Sequence, residues 1–359
     1  VPDASEDSAP ERDDSADTSP RSERRRPRWG LRILGVLLGL ALLGVALVAA
    51  FALFLNQKVE NNVKREALLP TPAASAVAGT PAPGEPTPTP DPSEAAVNAE
   101  IANSKGLNVL IIGSDARPGE KASRSDVMVL AHIPEDKSKV YLVHFPRDLW
   151  VSIPGRGQAK LNAAYAYGGA PLLVQTLQNL IHVRVDHVAK TDFEGFRSMT
   201  NAVGGVRVYA EEGSDGIRQG WNDLNGTQAL DFVRERKSLS QGDISRGKRQ
   251  QAFIKALMMK AISPDVITNP FKVAQFTEAA TSNLVVDEGM TTGFMRDQAF
   301  ALRGIRSEDV VFITAPFTGY GWSADGQSID VVDQPGMEAL GTAIRQDRLA
   351  DYGRASIIP

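Results

Sequence analysis

Leu107-Asn-Val-Leu-Ile-Ile-Gly-Ser-Asp-Ala-Arg117 decides the fold class of this 359-residue chain. The run from Leu107 to Ile112 is apolar but for Asn108, short, and stopped by Gly113, which is the pattern of a buried strand. Charge follows at once in Asp115 and Arg117. Outward from this segment, Asp126–Ile133 and Lys139–Phe145 read as two more strands, joined by the turn-like Pro-Glu-Asp-Lys-Ser of 134–138. Leu172–Ile181 reads as a helix, Asp186–Thr191 as a strand, Asp192–Val203 as a helix stopped at Gly204-Gly205, and Val206–Tyr209 as a strand. Thr227–Val233 is helical, with Asn225 or Gly226 available as its cap. Ile244–Ile262, Gln275–Ser282, Gly293–Leu302 and Gly336–Ile344 read as further helices, and Val310–Ala315 as a strand. Strands mixed with helices predict one layered α/β domain over residues 106–350, long enough to bury a sizeable core.

Upstream the chain changes character. Residues 1–30 are polar and then basic, and predict a disordered cytoplasmic tail. Arg21, Arg24, Arg25, Arg26, Arg28 and Arg32 crowd the entrance to a stretch, Ile33–Leu55, without any charge. About 23 residues at 1.5 Å each cover roughly 35 Å, enough to cross a bilayer. Residues 31–55 therefore read as one transmembrane helix, and the segment is too long for a signal-peptide core. Beyond it only Lys58, Lys64 and Arg65 are basic, partly offset by Glu60 and Glu66. The asymmetry predicts a cytoplasmic N-terminus and an external domain. Residues 56–105 read as a Pro/Ala/Thr-rich extracellular spacer, whose Pro70–Pro92 stretch would reach roughly 70 Å in extended form.

Composition excludes several function classes. A net charge of −4 is unlike a nucleic-acid binder. With no cysteine, disulfides and thiolate metal sites are ruled out. The four histidines, His132, His144, His182 and His187, show no metal-ligand spacing. Neither a G-x-S-x-G elbow nor a G-x-x-x-x-G-K-[ST] loop occurs. Gly-Gly at 168–169 and 204–205 suits turns and helix stops better than phosphate cradles.

What remains is a set of charged clusters at predicted element ends, where one rim of an α/β sheet binds ligands. Asp115 follows a strand and Asp126 opens the next. If the two strands are neighbours, their carboxylates can meet and share a cation; otherwise they are turn and cap residues. Arg147 leaves a strand through Pro146, and pairing with Asp148 is its simplest use. Arg234 and Arg236 share a face only if the helix ends near Val233 and the chain runs extended there. Arg246, Arg249 and Gln250 lie at i, i+3 and i+4 near a helix start, on a face that continues into Phe253 and Leu257 as core. Arginines in a first turn oppose the helix dipole, so an anionic ligand explains them better than helix stability does. Asp243 is either the cap of that helix or a chemical group. Planar guanidinium forks suit phosphate oxygens.

Taken together the clusters resemble the LytR-CpsA-Psr family of cell-wall ligases. The resemblance runs through Asn108–Arg117, Arg124-Ser-Asp126, Phe145-Pro-Arg-Asp148, Val151–Gly155, Lys160–Tyr165, Gly168-Gly169-Ala170, Asp192-Phe193, Gly204-Gly205-Val206, Leu224–Leu230, Arg234-Glu-Arg236 and Gly242–Gln251. It covers about residues 106–262 in the family's order. It implies an α/β/α sandwich with a central mixed sheet and a hydrophobic tunnel for a lipid tail. The implied activity is magnesium-dependent transfer of a glycopolymer (teichoic acid, arabinogalactan or capsule type) from a polyprenyl-pyrophosphate carrier to peptidoglycan, forming a phosphodiester. Asp115 and Asp126 match the family's Mg2+ ligands, with Mn2+ as the substitute. Arg124, Arg147, Arg234 and Arg236 match its pyrophosphate-binding arginines, and Arg246, Gln250 and Asp243 match further polar positions. Phe145, where the family often has a smaller residue, and His144 before it are departures that alter packing. The absence of a second external domain reads as a minimal member, and the Ala, Gly and Arg content as actinobacterial.

The mechanism this implies is charge neutralisation at a pyrophosphate while a sugar hydroxyl attacks. Asp243 is the candidate base, with Asp148 second. Two rivals stand beside it. The same site would serve a polyprenyl-pyrophosphate hydrolase, which gives the group to water. A membrane-anchored sensor of envelope precursors would bind without turnover.

Overall fold

The computed structural model describes residues 29–71, 92–114, 125–240 and 242–353. The chain divides into two compact units, Val1–Ala52 and Leu53–Pro359. In chain order the elements are α1 (Trp29–Asn62), β1 (Lys64–Glu66), α2 (Pro92–Ala102), β2 (Leu107–Ser114), β3 (Ser125–Ile133), β4 (Val140–His144), β5 (Trp150–Ile153), β6 (Gly157–Lys160) and α3 (Leu161–Ile181). There follow β7 (His187–Asp192), α4 (Phe193–Ala202), β8 (Val206–Ala210), β9 (Gly220–Leu224), α5 (Gly226–Arg234), α6 (Asp243–Ala261), α7 (Pro264–Ile267) and α8 (Pro270–Ser282). The last are β10 (Leu284–Asp287), α9 (Thr292–Ala301), β11 (Val310–Thr314), β12 (Phe317–Trp322), β13 (Ser328–Val332) and α10 (Gln334–Arg345).

Seven strands form one mixed sheet in the order β1-β10-β7-β2-β3-β4-β11. Its two faces are legible in the alternation of side chains. Met128 and Leu130 of β3, Tyr141 and Val143 of β4, and Val311 and Ile313 of β11 pack with Leu173, Val174 and Leu177 of α3 and Met337, Leu340 and Ile344 of α10. Val129 and Ala131, Val140 and Leu142, and Val310 and Phe312 face the other way, against Ala252, Ile254 and Met258 of α6. Helices on both faces make this the α/β/α sandwich that the family resemblance implies. A satellite core joins the β8–β9 hairpin, through Val206, Val208 and Leu224, to Phe232 of α5, Phe253 of α6 and Val266 of α7.

Three differences from the sequence reading have local causes. The fold takes in part of the stretch assigned to the spacer. β1 pairs in parallel with β10, and Leu68 enters the core at 4% exposure. Lys-Arg-Glu carries no apolar alternation because an edge strand with half its surface in water needs none. α3 begins at Leu161 and is broken at Gly168 and Gly169, where Gly169 holds a left-handed φ of 65° ahead of Pro171. The Gly-Gly pair is thus a kink between two helical pieces. The hairpins β5–β6, β8–β9 and β12–β13 lie outside the main sheet. Of their strands only β8 shows in the apolar pattern, because the other five are short or half exposed.

α1 extends well beyond Leu55, and Leu43–Asn62 is long and apolar enough to cross a membrane, the one such stretch among the described residues.

Candidate active site

The registers bring the predicted strand ends to one rim. β2 and β3 are antiparallel neighbours, with Gly113 opposite Val127 and Ser114 opposite Ser125. The condition set for Asp115 and Asp126, that their strands be adjacent, is therefore met. Asp126 lies in β3, while Asp115 and Arg124 fall outside the described residues. β7 ends beside β2, with Asp192 opposite Ser114. β4 ends at the same rim, His144 lying opposite Val129.

α6 starts at this rim. A Cβ at Gly247 would stand 2.9 Å from the His144 ring, so only glycine lets the helix approach so closely. The contact ties the first turn of α6 to the end of β4. Burial, with the Arg246 charge beside it, pushes His144 down to about 4. The neutral ring lets a cation and an imidazole sit side by side. Because the folded value lies below the unfolded 6.5, the stability that His144 contributes is full above pH 6.5 and is lost as pH falls through about 4. The shift corresponds to on the order of 3 kcal/mol. His144→Gln is therefore expected to flatten the fall in melting temperature across this window. Parallel curves for variant and wild type would assign the acid loss elsewhere.

Beside α6 opens a cleft of about 970 Å3, lined by Arg234, Arg236, Lys237 and Arg246, with Ser214, Asp215, Gln228 and Asp231 among the other walls. α5 is started by a capping box in which Asn225 accepts from the Gln228 N–H and Gln228 accepts from the Asn225 N–H. It ends at Arg234, and Glu235 is extended at φ −61° and ψ 133°. This is the geometry required for Arg234 and Arg236 to serve one ligand. Arg234 lies over the Phe193 ring at 4.0 Å, a contact that orients its guanidinium.

Two carboxylates hold the loop after α5. Glu235 accepts from the N–H groups of Arg236 (2.8 Å) and Ser238 (3.1 Å), and these bonds, that of Ser238 foremost, hold its carboxyl below the usual range. Glu212 accepts from the Ser240 N–H at 2.8 Å, and its carboxyl is likewise lowered, first by the Ser245 hydroxyl. Glu235 is thus turned to the loop's own donors, while Glu212 ties the loop at Ser240 to Ser245 of α6.

The remaining predicted residues lie elsewhere. Arg147 is not among the lining residues. It follows β4 at the same rim, and its Nε is 3.6 Å from Asp148, whose other oxygen meets Lys160 at 3.0 Å. Asp243 is the first residue of α6. Gln250 is buried and donates to the Val233 carbonyl at 3.4 Å, tying α6 to α5. Arg249 is buried as well, donating to Ser214 Oγ at 2.9 Å and the Glu212 carbonyl at 2.8 Å over the Phe232 ring. The sequence reading missed Ser214, Asp215, Gln228, Asp231 and Lys237. Lys237 was legible as the continuation of a basic run. The 214–217 turn was not, since only tertiary contact brings it to α6.

Comparison with known proteins bears on this cleft. Residues 77–346 match the LytR_cpsA_psr family. The probable cell wall biosynthesis protein LcpB of Corynebacterium glutamicum is 32% identical over 266 residues, 68% of this chain and 63% of that protein. The polyisoprenyl-teichoic acid–peptidoglycan teichoic acid transferase TagU of Oceanobacillus iheyensis is 35% identical over 204 residues, 54% of this chain and 62% of its own. The chain thus spans about three fifths of the length of these two relatives. Bacillus subtilis TagV superposes with a TM-score of 0.56 at 26% identity, covering 68% of this chain and 98% of TagV. TagT bound to LI-WTA superposes with a TM-score of 0.55 at 26% identity, covering 67% of this chain and 90% of TagT. The matched region contains the sheet rim, the Arg234–Lys237 loop and the start of α6, and this chain belongs to the LytR_cpsA_psr family.

Proposed function

We propose that the protein transfers a glycopolymer from a polyprenyl-pyrophosphate carrier to a peptidoglycan hydroxyl. The observation that carries this reading is the gathering of Arg234, Arg236 and Arg246 around one cleft, in a chain whose relatives are named as cell wall biosynthesis proteins and teichoic acid transferases. The sugar oxygen attacks the phosphorus bonded to the polymer. The bond from that phosphorus to the bridging oxygen breaks, and polyprenyl phosphate leaves. Asp243 takes the hydroxyl proton. Arg234, Arg236 and Arg246 bind the pyrophosphate oxygens and offset the charge that grows on the leaving phosphate. Arg147, which follows β4, and Arg124 are assigned to the same pyrophosphate, and Gln250 holds α6 against α5.

Asp115 and Asp126 are the residues we assign to magnesium, with manganese as the substitute. In sequence Asp115 follows β2 and Asp126 is the second residue of β3, and these strands are antiparallel neighbours; two such carboxylates would offer the hard oxygen donors that such a cation takes. When bound, the cation supplies further neutralisation of the phosphate oxygens.

Incubating the external domain with a synthetic polyprenyl-pyrophosphoryl oligosaccharide and peptidoglycan should yield a phosphodiester-linked product by mass spectrometry. Release of the phosphorylated oligosaccharide alone would assign a hydrolase, and binding without turnover a sensor. The arginine asymmetry around residues 33–55 supports a cytoplasmic N-terminus and an external domain. A Ser75→Cys variant, in a chain with no other cysteine, should be labelled by an impermeant thiol reagent on intact cells. Labelling only after lysis would overturn this topology.

A further inference from the structure

We propose that the outward face of the β12–β13 hairpin is the platform on which the acceptor lies, a peptidoglycan glycan strand whose sugar rings stack on Tyr320 and Trp322. The identity of the acceptor rests on the transfer reading above, and the platform rests on the hairpin itself.

β12 reads Phe317-Thr-Gly-Tyr-Gly-Trp322, and its burial alternates with a period of two. Such a strand ordinarily turns apolar side chains inward and polar ones to water. Here the inward positions are Phe317, Gly319 and Gly321, and the outward ones are Thr318, Tyr320 and Trp322. Tyr320 and Trp322 are 61% and 77% exposed. A Cβ at Gly321 would stand 2.9 Å from the Val331 side chain, so the inner side of the strand is closed against β13. One exposed aromatic is ordinary, but two side by side on one face form a surface that folding does not use.

The surface is preformed. Phe317, packed against the main core, stands 6.4 Å from the Tyr320 ring. Beyond Trp322 the turn is closed by the Ser323 N–H on the Gln327 carbonyl at 2.9 Å, the Gln327 N–H on Ser323 Oγ at 3.0 Å, and Gln327 Nε2 on Asp325 Oδ2 at 2.6 Å. A ligand therefore meets rings already in place, and binding loses little conformational freedom.

Both strands of the hairpin spring from the rim described above. β11 ends at Thr314, opposite His144, and the Ala315 N–H donates to the His144 carbonyl at 2.8 Å, two residues before β12 begins. On β13 the Asp330 N–H donates to the Asp148 carbonyl at 2.9 Å. Asp148 in turn pairs with Arg147, which is assigned to the pyrophosphate. The platform is thus rooted where an acceptor is needed.

Charge decides between ligands. No lysine or arginine occurs from residue 307 to residue 344, a stretch that holds Asp325, Asp330 and Asp333. A phosphate-rich polymer or an anionic bilayer surface calls for cations, which this hairpin lacks. An uncharged sugar ring suits it. The C–H face of a pyranose packs on an aromatic ring, while its hydroxyl and N-acetyl groups reach neighbouring hydroxyls such as Thr318 and Ser328. The two rings are about 7 Å apart along the strand, on the scale of neighbouring sugars in a chain. A protein partner fits less well. An aromatic side chain buries about 150–250 Å2, so two fall well short of the roughly 800 Å2 per partner of a stable protein interface.

The test uses the full chain in detergent, with Tyr320→Ala and Trp322→Ala, and with Trp221→Ala on the β8–β9 hairpin as the control. The probes are purified peptidoglycan sacculi, read by co-sedimentation, and a soluble β-1,4-linked N-acetylglucosamine tetrasaccharide, read by calorimetry. Each platform variant should weaken binding of both probes by about tenfold. Trp322→Phe should restore most of it, and the control should bind as wild type does. In transfer assays the same loss should appear as a raised KM for peptidoglycan. Equal binding by wild type and platform variants, or none by any, overturns the platform and leaves the transfer reading intact. Ring-dependent binding with no phosphodiester product from any chain overturns the transfer reading, and the platform then stands as a glycan-binding site. Quenching of a fluorophore at Trp322→Cys by a shallow nitroxide lipid, in liposomes of phosphatidylcholine and phosphatidylglycerol, would assign the rings to the bilayer and overturn the proposal.

Discussion

Replacing Arg234 or Arg236 by lysine is expected to lower turnover on the proposed polyprenyl-pyrophosphate substrate by about tenfold or more for each residue, a loss of about 1.4 kcal/mol of transition-state stabilisation. Both side chains line the same cleft, on either side of the extended Glu235. A lysine keeps the charge but supplies a point donor in place of a planar fork, and it cannot reproduce the stacking of Arg234 on Phe193. Folding is expected to survive, since charged groups at a solvent-lined cleft contribute little stability. Arg147→Lys is a sharper question, because Arg147 stands at the strand rim, beside Asp148 and away from the cleft lining. The same tenfold loss there would show that the pyrophosphate spans both places. Wild-type rates in all three variants, measured as product formation by mass spectrometry, would put the site elsewhere.

Removing the proposed metal is expected to have the second large effect. Thorough chelation with EDTA, or the Asp115→Ala/Asp126→Ala double variant, should slow pyrophosphate cleavage by about a hundredfold or more, as loss of a main electrostatic contact does. Binding of the lipid substrate to the double variant, followed by fluorescence, should persist through the arginines. Full turnover in either case would make the two carboxylates turn residues at the ends of β2 and β3. Loss of binding together with turnover would point instead to a collapse of the rim.

Much of the architecture is local information, which is why it could be read before any coordinates. The strand Leu107–Ile112 is announced by its own apolar run, and α5 by the cap available at Asn225, to which the structure adds the reciprocal bond of Gln228. The apolar stretch through Leu55 declares itself by length and absence of charge. Each of these depends on residues a few positions apart, so spacing alone reveals it. The charged clusters were legible in the same way, as acids and arginines placed where elements end.

Other features depended on contacts between residues far apart. That β2 and β3 are neighbours, and that β1 and Leu68 join the fold, follows from sheet pairing across the chain. Arg246 and Arg249 are three residues apart on one helix, yet Arg246 lines the cleft while Arg249 is buried against Ser214, Glu212 and Phe232. Helical periodicity places both on roughly one side and says nothing of what packs there. The turn at 214–217 reaches the cleft wall because the β8–β9 hairpin docks on α6, a choice made by burial of Val206, Val208 and Phe253. Sequence spacing encodes the period of an element and the chemistry at its ends. Which ends meet is settled by the apolar faces that must be buried together, and that is a property of the whole chain.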